Sequence, residues 1–277
     1  MPIILSFWNT KGGVAKTTTV AHLAAFLAAQ GKSVLSVDLD CCHLTETLLP
    51  NTDVAWSIQD VLHNIKTLEQ ITVTVSEKHQ LAPARMELNT SLPSEVCVRL
   101  SDQLTQFSWA DYILIDCPSA MTLPTRAALM AADYLFIPCQ PSFHSINGVQ
   151  QAIEMTEQIR TRFHCPVQIG GIFLTLVPYH QQATLPYQQV LQETYPRWMM
   201  SERIRYDPSL VNFPLFGSSI FSTRGNERAK NDYQLLGQAI QDRLKTDAGK
   251  KKPSLFATAG NRGAARRFVP LKEILSF

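Results

Sequence analysis

Two lysines and a pair of glycines crowd one stretch near the start of the chain, Asn9-Thr10-Lys11-Gly12-Gly13-Val14-Ala15-Lys16-Thr17-Thr18-Thr19. Their chemistry is anion binding. Backbone N–H groups at the start of a helix point at a negative group, the helix dipole favours negative charge there, and a lysine adds a full positive charge. The flanks supply the helix and a strand before it. Ile3-Ile4-Leu5-Ser6-Phe7 is an apolar run that reads as a buried strand. Val20, Leu23, Ala24, Phe26 and Leu27 recur at three- and four-residue spacing as far as Gly31. Strand, glycine turn, lysine, threonine and helix together lay out a phosphate-binding loop. The strict pattern G-x-x-x-x-G-K-[ST] is nevertheless missed, because Thr10 and Ala15 stand at its glycine positions. The stretch reads K-G-G-V-A-K-T instead, with Lys11 as a second lysine.

Carboxylates end two other apolar runs. Ser33-Val34-Leu35-Ser36-Val37 delivers Asp38-Leu39-Asp40, and Tyr112-Ile113-Leu114-Ile115 delivers Asp116. Ligands of parallel sheets gather at strand C-termini, so these carboxylates suit Mg²⁺ and water management beside the loop. Either Asp38 or Asp40 alone is equally read as a helix cap; the pair at this distance from the loop favours the functional reading. His43 beside Cys41 and Cys42 is not read as a metal centre, since adjacent ligands rarely reach one tetrahedral ion together.

The elements that must position these groups alternate between strands and helices. Between residues 53 and 107 a short helix near Val61–Leu68, a strand at His79–Ala84 and a helix over Ser94–Phe107 are expected. A helix ending near Ala132 feeds a buried strand to Pro138, a loop runs to Gly148, and a helix covers Val149–Phe163. A strand over Val167–Val177, a helix over Gln181–Tyr195, a loop over Met199–Phe221 and a helix over Glu227–Leu244 complete the pattern. Near-continuous apolar strands separated by helices mean an α/β fold, a mostly parallel twisted sheet with helices on both faces, and the phosphate loop after its first strand is what would make it of the P-loop NTPase type. Residues 1–245 are expected to form one such domain and 246–277 a basic tail with a short apolar end.

With 45% hydrophobic and 17% charged residues the 277-residue chain has the composition of a soluble globular protein. It has no run of eighteen apolar residues and no secretory leader, and its six cysteines lack any C-x-x-C pair. A cytoplasmic protein with buried thiols is expected. The net charge of +2 is unevenly spread: residues 1–196 carry 10 Lys and Arg against 16 Asp and Glu, residues 197–277 carry 15 against 7. Such asymmetry suggests a surface for nucleic acid or anionic lipid in the last third, against the plainer reading of a solvated basic face.

The two-lysine loop, Asp38-Leu39-Asp40 with the following Leu44-Thr45-Glu46, and the Asp116 strand occur in that order. Together they resemble the deviant Walker A ATPases of the ParA/MinD family over about residues 3–244. Two departures stand out: Cys41-Cys42-His43 replaces the family's usual Pro-Gln-Gly, and its D-x-P-P becomes Asp116-Cys117-Pro118-Ser119. The short N-terminus is like that of the small ParA proteins, without a helix-turn-helix domain. The resemblance implies ATP and Mg²⁺ as cofactors. It implies that the backbone of Gly12, Gly13, Val14, Ala15, Lys16, Thr17 and Thr18 cradles the phosphates, that Lys16 contacts the β- and γ-phosphates, and that Thr17, Asp38 and Asp116 serve the metal. Lys11 is then the signature lysine that enters the partner subunit's site in an ATP-bound homodimer, and Asp40 the group that orients the attacking water. Met199–Phe221 resembles the family's loop around the adenine. Slow, partner-stimulated hydrolysis follows, with a ParB-like or other cargo adaptor as the partner and a plasmid, chromosome locus or protein organelle such as a carboxysome as cargo. The basic third is then the nucleoid-binding surface, contacting DNA without sequence preference through Arg197, Arg203, Arg205, Arg224, Arg228, Lys230, Lys245, Lys250, Lys251 and Lys252. The alternative is a MinD-like cycle on membranes through Arg266–Phe277, which Pro270 and the short length disfavour.

Overall fold

A computed structural model describes residues 1–85, 92, 95–179, 182, 184–212, 220–221 and 225–248. In chain order the elements are β1 (Ile3–Phe7), α1 (Lys16–Ala29), β2 (Val34–Asp38), α2 (His43–Leu48), α3 (Ile58–Leu62) and α4 (Leu68–Ile71). Next come β3 (Val73–Ser76), β4 (His79–Ala82), α5 (Val96–Gln106), β5 (Tyr112–Asp116), α6 (Leu123–Ala131) and β6 (Tyr134–Cys139). The chain continues through α7 (Phe143–Phe163), β7 (Gln168–Val177), α8 (Leu185–Thr194), β8 (Met199–Arg205), α9 (Pro208–Asn212) and α10 (Glu227–Ala248).

The strands form one sheet in the order β3-β4-β2-β5-β1-β6-β7-β8, parallel except for β3, which runs antiparallel to β4. Alternate side chains of each central strand enter different cores, which is why the strands read as unbroken apolar runs. Ile4, Leu35 and Ile113 pack with α5, α6 and α7 on one face. Leu5, Val34 and Leu114 pack on the other with Val20, Leu23 and Leu27 of α1 and Tyr233, Leu236 and Ile240 of α10. The expected α/β sheet with helices on both faces is therefore the fold.

Several boundaries differ from expectation. Met199–Phe221 is not a continuous loop: Met199–Arg205 is β8, parallel to β7. Only Met200 and Ile204 of it are deeply buried, and an edge strand with so much polar sequence carries little of the apolar signal of a central one. The other edge, β3, alternates half-buried and exposed residues and was not anticipated for the same reason. Helix α7 begins at Phe143, six residues before Val149, because Ser142 lies in extended backbone ahead of a polar first turn. Helix α8 is described from Leu185, with Pro186 in its first turn where a missing N–H costs nothing, and Gln181, the expected start, lies outside the described residues. Residues 57–71 hold two short helices, each opened by a capping box, Ser57 with Asp60 and Thr67 with Gln70.

Candidate functional site

The phosphate loop leaves the C-terminal end of β1, the strand from which the sheet order runs to β5 and β2 on one side and to β6 and β7 on the other. Such a reversal opens a crevice above the strand ends. Asn9, fully buried, ties the loop down: its Nδ2 donates to Pro138 O at 2.9 Å and its Oδ1 accepts from Lys11 N at 2.9 Å. The close approach of α7 requires Gly148, since a Cβ there would stand 2.2 Å from Asn9 Oδ1. From the far side Thr175 of β7 donates to Val14 O at 3.0 Å. Gly13 (φ +73°) and Ala15 (φ 62°) both take left-handed backbone. For Ala15 this is a strained conformation, of the kind that concentrates at functional sites. Helix α1 starts directly after it with no side-chain cap, and among the described residues no acceptor meets the backbone N–H groups of residues 15 to 18. They are the first-turn donors a phosphate accepts from.

Lys16 is 5% exposed, and its Nζ donates to Ser119 Oγ at 2.7 Å. Thr17 Oγ1 donates to Asp116 Oδ2 at 2.7 Å, while Asp116 Oδ1, equally buried, has no partner. Register places Asp38 directly opposite Asp116 on the neighbouring strand. Burial first, then the charge of Asp38, raises the Asp116 carboxyl well above its ordinary range. Burial likewise pushes Asp38 up to about 6, against hydrogen bonds from Thr45 N (2.8 Å), Thr45 Oγ1 (2.7 Å) and Asp40 N (2.9 Å) that favour its charged form. Two buried carboxylates, one with an orphaned oxygen beside a threonine hydroxyl, are short of positive charge. This donor set is all oxygen and fits a hard divalent cation such as Mg²⁺.

Asp40 is partly buried and lies 3.6 Å from His43 Nδ1. Between them Cys41 and Cys42 both take left-handed backbone. Cys42 Sγ donates to Glu46 Oε1 at 3.4 Å, and burial pushes its thiol up to about 11. Among the described residues no group of three or more His, Cys, Asp or Glu side chains is gathered to hold a metal ion, so Cys41, Cys42 and His43 form no such centre. Lys11 stands exposed on the loop, its Nζ reaching, among the described residues, only Gly12 O at 3.1 Å.

The basic third looks different. Arg205 pairs with Asp232, Arg228 with Asp207, Lys230 with Glu227 and Lys245 with Asp242. Arg197 and Arg203 form no ion pair among the described residues. Arg224 and Lys250, Lys251 and Lys252 lie outside the described residues, as does the Arg266–Phe277 end. Sequence reasoning did not single out Ser119, Asn9, Thr45 or Thr175 as parts of the site. The available signals were that Asn9 and Ser119 flank the Lys11 and Asp116 motifs and that Thr45 stands in the Leu44-Thr45-Glu46 segment after Asp40. No helix of the described residues is long and apolar enough to cross a membrane.

A family model described as an AAA domain matches residues 2–169. A ParA family protein of Chlamydia trachomatis is 31% identical over 241 residues, 83% of this chain and 94% of the relative. The sporulation initiation inhibitor protein Soj of Bacillus subtilis is 32% identical over 188 residues, 63% of this chain and 72% of Soj. Among solved structures, a cobyrinic acid a,c-diamide synthase of Mycobacterium smegmatis with bound ADP and magnesium has a TM-score of 0.76 and 25% identity, covering 91% of this chain and 98% of that one.

Proposed function

This chain belongs to the ParA family of P-loop ATPases, and from that premise we propose that it is an ATP- and Mg²⁺-dependent switch that dimerises on ATP, binds DNA without sequence preference and positions a cargo. The observation that carries the reading is the convergence of Lys16, Thr17 and Asp116, with its unpartnered Oδ1, at one end of the sheet beneath an exposed Lys11. In this reading the N–H groups of residues 12–18 hold the phosphates and Lys16 neutralises the β- and γ-phosphates. Thr17 and Asp116 hold Mg²⁺, with Asp38 in support. Mg²⁺, when bound, offsets the charge that develops on the phosphoryl group. Lys11, free to leave its loop, adds positive charge to the partner's site, and Asp40 orients the attacking water. With a weakly basic carboxylate as the group beside that water, hydrolysis is slow and a cargo-bound adaptor speeds it. Arg197 and Arg203 are the described basic residues best placed to contact phosphate backbones; the paired arginines and lysines must exchange a carboxylate to do so.

Binding to random duplex DNA and to anionic vesicles, each with ADP and with ATP, tests the reading. ATP-dependent DNA binding that collapses with salt supports it. Vesicle binding lost on deleting 266–277, without DNA affinity, overturns it in favour of a membrane cycle. In sedimentation, Lys11→Ala is expected to abolish the ATP-driven dimer while leaving nucleotide bound; an unchanged dimer refutes the role of Lys11.

A further inference from the structure

We infer that Ser119 is a positioning residue of the nucleotide site: its hydroxyl holds the Lys16 ammonium off the Asp116 carboxylate and so keeps that carboxylate available to a divalent cation. The inference rests on the ATPase reading above. A buried ammonium requires acceptors, and among the described residues the one it has is Ser119 Oγ at 2.7 Å. The competing acceptor is close enough to matter. Asp116 is fully buried, its Oδ1 has no hydrogen-bond partner among the described residues, and its Oδ2 accepts from Thr17, the neighbour of Lys16, at 2.7 Å. Opposite charges sharing a water-poor site attract strongly, so an unrestrained Lys16 is drawn to Asp116. A direct pair between them takes the carboxylate from the cation, while the remaining ammonium protons stay available to phosphate oxygens.

Ser119 is built to prevent this. Its carbonyl is pinned by Trp8 Nε1 at 3.2 Å, and its Oγ lies 3.6 Å from where a Cβ on Gly12 would stand. The hydroxyl is therefore fixed between the phosphate loop and the end of β5. One hydroxyl takes one ammonium proton and leaves two for phosphate oxygens. The proline that the D-x-P-P pattern places here carries no side-chain acceptor, so the contact is a property of this chain's Asp116-Cys117-Pro118-Ser119.

The test is binding of a fluorescent ATP analogue to the full chain across a Mg²⁺ titration and in EDTA, for the wild type, Ser119→Ala, Ser119→Thr and Lys16→Ala. Ser119→Ala is expected to raise the half-saturating Mg²⁺ about tenfold, the size of one hydrogen bond to a charged group, while affinity in EDTA moves by less than about threefold. Ser119→Thr, which keeps the hydroxyl, restores the wild-type Mg²⁺ dependence. Should the alanine variant not fold, Ser119→Cys, similar in size but a poor acceptor, is expected to shift Mg²⁺ dependence in the same direction. Unaltered Mg²⁺ dependence in a folded Ser119→Ala or Ser119→Cys chain overturns the inference, as does an equal loss with and without Mg²⁺. Lys16→Ala separates the two levels: if it binds nucleotide as the wild type does, the ATPase reading itself fails.

Discussion

The phosphate end of the sheet and the basic last third both announce themselves by residue type, yet the structure treats them in opposite ways. At the phosphate end, charged groups are buried and left incompletely satisfied: among the described residues Asp116 Oδ1 has no partner and the N–H groups of residues 15–18 have no acceptor. In the last third, four of the expected DNA-contacting residues, Arg205, Arg228, Lys230 and Lys245, have each found a carboxylate on their own or a neighbouring element. Unsatisfied polar groups in a buried site are costly and persist where a ligand completes them, whereas a positive surplus counted along a sequence is partly consumed by local pairing. A cluster poised for a ligand and a cluster serving the fold thus differ in what is left over.

That contrast can be broken. The largest effect is expected for Lys16→Ala, which should weaken ATP binding by at least about a hundredfold in a titration with a labelled nucleotide, since a charge-assisted contact to phosphate is lost inside a dry site. Arg205→Ala should instead cost stability, about 3 kcal/mol by denaturant unfolding, because it strips a buried Asp232 (4% exposed) of its guanidinium. Arg203→Ala should leave stability unchanged and lower only DNA affinity; if Arg203 and Arg205 behave alike, the distinction between free and paired cations fails.

The next prediction concerns pH. In the chain without nucleotide or metal, Asp38 has a folded pKa of about 6 against an unfolded value of 3.8. The folded state therefore holds a proton that the unfolded state releases. This contribution to stability is complete below 3.8 and is lost as pH rises through about 6. Unfolding at pH 5 should accordingly cost about 1 kcal/mol more than at pH 7 from this group, and Asp38→Asn should flatten that part of the profile. The smallest effect is a gain: Ala15→Gly removes the left-handed strain before α1 and should stabilise the fold by about 0.5–1 kcal/mol in thermal unfolding. No gain there means that the loop relaxes the strain by other means.

Much of the site was legible because it is local. A glycine turn between an apolar run and a helical pattern places Lys16 and Thr17 at a helix start whatever the rest of the chain does, and an apolar run ending in Asp116 puts that carboxylate at a strand end. Boundaries were legible only where apolar periodicity is strong. The edge strand β8, with Met200 and Ile204 buried among Ser201, Glu202 and Arg203, looked like loop because half of an edge strand's neighbours are solvent.

By itself the amino-acid sequence determined the alternation of buried strands and amphipathic helices, the phosphate loop at the end of the first strand, and the carboxylates at the ends of two others, since each follows from residue types a few positions apart. Tertiary structure alone decided the rest. Strand order brought Asp38 level with Asp116 across 78 residues of chain, the end of β5 put Ser119 against a lysine 103 residues earlier, and α7 came close enough to Asn9 to demand Gly148. It also decided which cations of the last third are spoken for. These outcomes depend on contacts between segments distant in sequence, selected by packing two cores on one sheet, and no local pattern records them.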